Sequence, residues 1–232
     1  MRKSLFSLVL AASCAASGLM AQEAATITVS AEGEVEAAPD MAMVRIGVRE
    51  AADSADAAMD AASAAMDAML AALSAAGIEA RDMQTSGLRL NPVYDSRSSG
   101  VERQVGFEAV NTLTLRIRDL DGLGGVLDTL VREAGANTLN GLSFGLSDPA
   151  PLMDEARRDA VAEARHRAEV LAEAAGVTLG KLVSIQDGGG GMPYPVAAPM
   201  MEARSAGAVP VAAGEVTVNA NVTMTWEIGA AE

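Results

Sequence analysis

The chain has 232 residues, half of them hydrophobic, and its 31 acidic against 17 basic residues give a net charge of −14. That length supports a hydrophobic core without covalent staples, as one compact unit or as two small lobes sharing a sheet. A strongly acidic surface is repelled by nucleic acid and by anionic lipid head groups, and DNA or RNA is excluded as a ligand.

The first 21 residues read as an export signal and are set aside from the fold. Arg2 and Lys3 form a basic start, Leu5 to Ala16 an apolar run, and cleavage is expected after Ala21, before Gln22. The run is too short to span a bilayer, and no later stretch has ~20 unbroken apolar residues, so no transmembrane segment is expected in the mature chain. A rival reading makes Cys14 an acylated lipoprotein terminus, although Ala11 stands where such signals carry Leu. Cys14 is the single cysteine. Once it leaves with the leader, no disulfide, thiol nucleophile or Cys-based metal site remains. The expected location is the periplasm.

Residues 22–232 then read as one domain. Ile27 to Val35 open a strand, Pro39-Asp40 marks a turn, and Ala42, Val44, Ile46 and Val48 alternate with Met43, Arg45, Gly47 and Arg49 in a second strand. From 52 to 76 the period changes. Met59, Ala62, Met66, Met69 and Leu73 make one stripe, with Asp53, Asp56, Asp60 and Asp67 opposite, as in an amphipathic helix with an acidic outer face. Gly77-Ile78 closes it like a left-handed cap, and Gly135 and Gly176 repeat the punctuation.

Strands follow at about 81–94 and 105–118, joined by the polar tip Asp95 to Gly100. In the second of these, Asn111 shares a face with Phe107, Ala109, Leu113 and Leu115, where a lone amide is expected to satisfy a bulge or nearby backbone. Asp119 or Asp121 caps the next helix, whose inward stripe is Leu120, Leu123, Leu127, Leu130 and Val131. Gly124-Gly125 inside it points to close packing. After a short strand at Leu142, Phe144 and Leu146, Asp148-Pro149 starts a third helix. Ala156, Ala160, Ala164, Leu171 and Ala175 are expected inward, with the pairs Asp154/Arg158 and Glu163/Arg167 outside.

Leu182, Val183 and Ile185 begin a strand that ends at Gly188 to Gly191, a run read as a hinge opening a flexible Gly/Pro/Met loop over 188–214. The closing strand, Glu215 to Ile228, alternates without a slip. Val216, Val218, Ala220, Val222, Met224, Trp226 and Ile228 face one way, Thr and Asn residues the other. Its apolar face belongs under helices. Its Thr/Asn face is the first place to expect a neighbouring subunit or ligand.

Little in the chain carries chemistry. His166, the sole histidine, lies between Arg165 and Arg167 on a helix, and a metal site would want several His, Cys or clustered carboxylates. Paired carboxylates fall on solvent faces, outside any pocket that would split their pKa values. The four-glycine run lacks the Lys-Ser/Thr of a phosphate loop. Accordingly no catalytic, cofactor-binding or metal residues are assigned, and no cofactor is expected. Two rivals stand beside this reading. One is soft-metal or small-ligand binding, copper(I) for instance, through Met192, Met200 and Met201. The other is a carboxylate enzyme with acids such as Glu32 and Glu34 facing Arg45.

Several stretches, taken together, resemble the SIMPL-domain family. They are Ile27 to Val35, Ala38 to Ala42, Val44 to Val48, Gly77-Ile78, Met83 to Leu88 with Pro92 and Tyr94, Phe107 to Leu113, Ala156 to Ala175, and the last strand. The resemblance spans nearly the whole mature chain, with Ala31 where a Gly is common. It implies exported proteins, among them periplasmic immunogenic and oxidative-stress defence proteins, a tendency to self-assemble, and no catalytic residues. The fold expected is α+β, a long, mainly antiparallel sheet covered by about three helices in the order ββαββαβαββ. The partners expected are copies of the same chain, with no nucleic acid.

Overall fold

A computed structural model describes residues 25–95, 103–191, 194–196 and 211–230. The elements run β1 (Thr26–Ala37), β2 (Met41–Ala52), α1 (Ala55–Ala75), β3 (Met83–Asp95), β4 (Arg103–Ile117), α2 (Leu123–Arg132), β5 (Thr138–Gly145), α3 (Ala150–Ala175), β6 (Val177–Gly189), β7 (Tyr194–Val196) and β8 (Glu215–Ala230). This is the expected α+β order with one short strand, β7, added inside the 188–214 segment.

The strands form two antiparallel sheets where one was expected. The chain ends build a terminal sheet in the order β1-β8-β6, with β7 paired to the start of β8. The middle of the chain builds a second sheet in the order β3-β4-β2-β5. Pro39-Asp40 is therefore a crossing between sheets and not a hairpin turn. The return crossing, after β5, is tied to it. Asp40 accepts from the Ser147 N–H at 2.6 Å and the Ser147 hydroxyl at 2.5 Å, and its own N–H donates to the Gly145 carbonyl at 3.1 Å. The Ser147 hydrogen bonds hold the Asp40 carboxyl below its ordinary pKa.

Each sheet buries one face under its own helices. In the middle sheet, Ala42, Val44, Ile46 and Val48 of β2 and Leu113, Leu115 and Ile117 of β4 pack against Ala58, Ala62, Met66, Met69 and Leu73 of α1 and Leu123, Leu127 and Leu130 of α2. Ser54 caps α1 by accepting from the Ala57 N–H, and Asp53, Asp56, Asp60 and Asp67 face solvent as expected. Val131, expected inside, is exposed, because it falls off the buried stripe of α2, which is Leu123, Gly124, Leu127 and Leu130. Gly124 is buried but Gly125 faces open space. Beside this core, Asp82 is buried and takes two hydrogen bonds from the Arg118 guanidinium, at 3.0 and 3.3 Å, which hold its carboxyl below the ordinary value.

In the terminal sheet, β8 is the central strand, and Val29, Ala31, Val222, Met224 and Trp226 pack against Ala160, Ala164 and Ala168 of α3. The buried row of α3 steps by four, Ala156, Ala160, Ala164, Ala168 and Ala172, and leaves Leu171 and Ala175 exposed against expectation. An all-alanine row lets a helix sit close to a sheet, and Gly33 shows how close. A Cβ placed on Gly33 would lie 2.2 Å from the Ala156 carbonyl oxygen and 2.3 Å from the Ala160 nitrogen. Outside, Arg167 pairs with Glu163 as expected, whereas Asp154 takes Arg157, three residues on, which also reaches Asp187 of β6. Gly77, Gly135 and Gly176 adopt the left-handed φ that the three helix ends require.

Candidate functional site

No helix among the described residues covers the second face of the middle sheet, and three arginines gather there. Arg45 and Arg49 lie four residues apart on β2, so both leave the strand opposite the buried Ile46 and Val48. Two strands across, Arg89 of β3 stands opposite Val110 of β4, which itself stands opposite Arg49. At the usual strand spacing the Arg49 and Arg89 backbones are roughly 10 Å apart, and Arg45 is roughly 13 Å from Arg49 along β2. With Ser86, Asn91, Glu108, Thr112, Thr138 and Asn140 they line a concavity of about 550 Å³.

Local backbone chemistry sets this geometry. A Cβ on Gly47 would meet the Asn111 carbonyl oxygen at 2.3 Å, so only glycine allows β2 and β4 to approach there. Just beyond, Asn137 accepts from the Arg49 N–H at 2.7 Å and donates to the Arg49 carbonyl at 2.9 Å, replacing a missing strand partner. The Arg49 guanidinium donates to both Glu108 oxygens, at 3.1 and 3.0 Å. Arg45 and Arg89 have no hydrogen-bond or ion-pair partner among the described residues. The buried Thr138 hydroxyl is likewise unpartnered there. Guanidinium forks and free hydroxyls are groups that hold oxyanions.

The residues expected to carry chemistry are dispersed. Glu32 and Glu34 lie on β1 in the terminal sheet, while Arg45 belongs to the middle sheet, so the three do not converge. Glu32 instead accepts from the Asn219 side chain at 2.8 Å. His166 is exposed on α3, beside Arg167 and Val170. Among the described residues no group of three His, Cys, Asp or Glu side chains is placed to hold a metal. Met192, Met200, Met201 and Cys14 lie outside the described residues.

Asn111 departs from its expected role, since its buried side-chain oxygen has no partner among the described residues. Gly188 and Gly189 of the glycine run close β6, with Gly189 opposite Asn221 of β8, and Gly190 and Gly191 follow the strand end. A Cβ on Gly190 would meet the Met153 sulfur, and the Gly191 N–H donates to the Asn219 side chain at 2.9 Å. The Thr/Asn face of β8 spends much of its hydrogen bonding on β1, Thr225 with Thr28 and Thr223 with Ser30, both at 2.9 Å. That leaves it poorer in free donors and acceptors than the arginine face. The arginine cluster escaped sequence reading because Arg89 joins Arg45 and Arg49 only through the register of β4. The one signal on hand was the alternation that puts Arg45 and Arg49 on the polar face of β2.

Fold and surface together define a two-sheet α+β protein in which helices cover one face of each sheet. The chain belongs to the SIMPL family, whose model, described as a protein of unknown function (DUF541), matches residues 27–226. Among its relatives is the 26 kDa periplasmic immunogenic protein of Brucella melitensis, 37% identical over 218 residues that cover 90% of this chain and 87% of that protein. The protein named YggE in Escherichia coli is 31% identical over 217 residues, covering 90% and 85% of the two chains. The YggE protein of Edwardsiella ictaluri is 29% identical over 160 residues, covering 69% and 66%.

Proposed function

We propose that this chain is an exported periplasmic protein that works by binding and self-assembly, without catalysis, in defence of the cell envelope against oxidative or related stress. The basic-then-apolar start of the sequence and the periplasmic name of the Brucella relative support the location. The observation that carries the assembly reading is β6. Among the described residues it is an edge strand of 13 residues whose one partner is β8, so its other edge offers a row of N–H and C=O groups unpaired there. Leu182, Val183 and Ile185 on it are 46%, 55% and 54% exposed.

Leu182 and Ile185 lie opposite Trp226 and Met224, and α3 leaves both about half exposed. Soluble chains ordinarily blunt such an edge with charges or cover it. A second copy, related by a two-fold axis, would pair β6 with β6 and bring the same apolar residues to the contact from both sides.

Size-exclusion chromatography with light scattering on the chain from Gln22 onward tests this. The expected mass is a multiple of the protomer, falling to one protomer in the Leu182→Lys/Ile185→Lys variant with its circular dichroism unchanged. A strict monomer at micromolar concentration would sink the proposal.

A further inference from the structure

We infer that the open face of the middle sheet is a binding site for small multivalent oxyanions, molecules bearing two or more phosphate or carboxylate groups. Arg45 and Arg89 would be its anion-binding residues. This inference does not rest on the assembly reading, which concerns the other sheet.

The argument starts from charge. In a chain with a net charge of −14, arginines converging on one concavity are the opposite of what the whole molecule provides. Glu108 is the carboxylate among them, and Arg49 already engages both of its oxygens. Two guanidiniums, those of Arg45 and Arg89, are left without a partner among the described residues. A planar fork of N–H donors matches the two oxygens of a carboxylate or phosphate.

Geometry then sets the class. Arg89 lies two strands from β2 and Arg45 lies four residues from Arg49, so the forks reach a common ligand from different sides. One small monovalent ion would satisfy one fork; two or more anionic groups on one molecule would satisfy both. Ser86, Asn91 and Asn140, exposed around the concavity, offer further polar contacts, as a hydroxylated or phosphorylated ligand requires. A concavity of about 550 Å³ is of the size that holds small molecules.

Titration calorimetry of the mature chain with pyrophosphate and, separately, with citrate tests the inference, against potassium chloride at matched ionic strength. The two probes distinguish a phosphate ligand from a carboxylate one. Saturable binding of at least one is expected, weakened about tenfold or more by Arg45→Gln and by Arg89→Gln, since each removes a charge-assisted hydrogen-bonding group. Arg165→Gln, an exposed arginine of α3, should leave affinity unchanged.

No saturation at millimolar concentrations, or equal weakening by Arg165→Gln, would overturn it. So would Arg45→Gln and Arg89→Gln variants that keep anion binding but lose mass in light scattering, because the face would then be holding another copy. Repeating the titration on the Leu182→Lys/Ile185→Lys variant separates this inference from the assembly reading, since anion binding should survive there.

Discussion

Gly33→Ala should loosen α3 from the terminal sheet, and the size of the effect follows from two distances. The added Cβ would sit 2.2 Å from the Ala156 carbonyl oxygen and 2.3 Å from the Ala160 nitrogen. Comfortable contacts to carbon lie near 3.5–4.0 Å, so the helix must retreat by roughly 1 Å or more, and a gap of about that size forfeits a quarter to a half of each van der Waals contact it opens. The retreat is felt along the alanine row, against Val29, Ala31, Val222, Met224 and Trp226. Overpacking of this kind costs about 1–3 kcal/mol, and backbone atoms as the obstacle put it at the upper end. Replacing a strand glycine returns roughly 0.5–1 kcal/mol, too little to offset that.

The expected net loss is thus about 2 kcal/mol, or a melting temperature lower by roughly 4–8 °C for a chain of this size. Urea and thermal unfolding followed by circular dichroism measure the total. Amide hydrogen exchange locates it: protection should fall on α3 and persist on α1, which packs in a separate hydrophobic cluster. Gly87→Ala is the control, because its Cβ would meet the Thr112 side chain at an ordinary 3.8 Å. A Gly33→Ala protein as stable as the parent, or a Gly87→Ala protein equally weakened, would refute the close-approach argument.

Three further outcomes can be checked on the same instruments. Gly125→Ala should stabilise the chain by about 1 kcal/mol in urea unfolding, since glycine costs that much in a helix interior and the site opens on empty space. Asp82→Asn should lower stability at neutral pH and flatten the acid limb of a stability profile. The Asp82 carboxyl titrates below its ordinary 3.8 in the folded state, so its contribution is complete above that value and is lost as pH falls through the lowered one. Asn137→Ala should weaken anion binding at the arginine face without touching an anion itself, because it releases the Arg49 backbone, and Asn137→Gln should not restore it.

Much of the fold could be read from local pattern, and what could not was non-local. The alternation of β2 and β8, the Met/Leu stripe of α1 and the glycine caps at Gly77 and Gly176 are all short-range signals, and the structure has them in place. The division into two sheets is different. β1 and β2 alternate alike and are separated by a few residues, yet β1 pairs with β8, close to 190 positions away. Nothing within β1 distinguishes those two partners.

The alanine row misled for a related reason. A 3.6-residue period was satisfied by Leu171 and Ala175, but contact with β1 selected the four-residue row ending at Ala168 and Ala172, because only small side chains fit beneath a helix so near the sheet. Gly33 itself was a legible sign, since a lone glycine inside a strand pattern marks a bulge or a close backbone approach.

The same distinction between local and global reconciles an acidic chain with a site for anions. The net charge of −14 is a property of the whole surface, and α1 contributes to it with Asp56, Asp60 and Asp67 on its outer side. That helix covers one face of the middle sheet while the arginines occupy the other. In physiological salt, exposed charges more than about 8–10 Å apart are largely screened from one another. A ligand seated among Arg45, Arg49 and Arg89 therefore responds chiefly to those three guanidiniums and to Glu108, which Arg49 already holds. A nucleic acid strand reaches far beyond the concavity and meets the acidic remainder, whereas a small oxyanion fits inside it and does not. Composition argues against the long polyanion. It could not speak for the small one, because that ligand experiences a patch of sheet and not the average of the molecule.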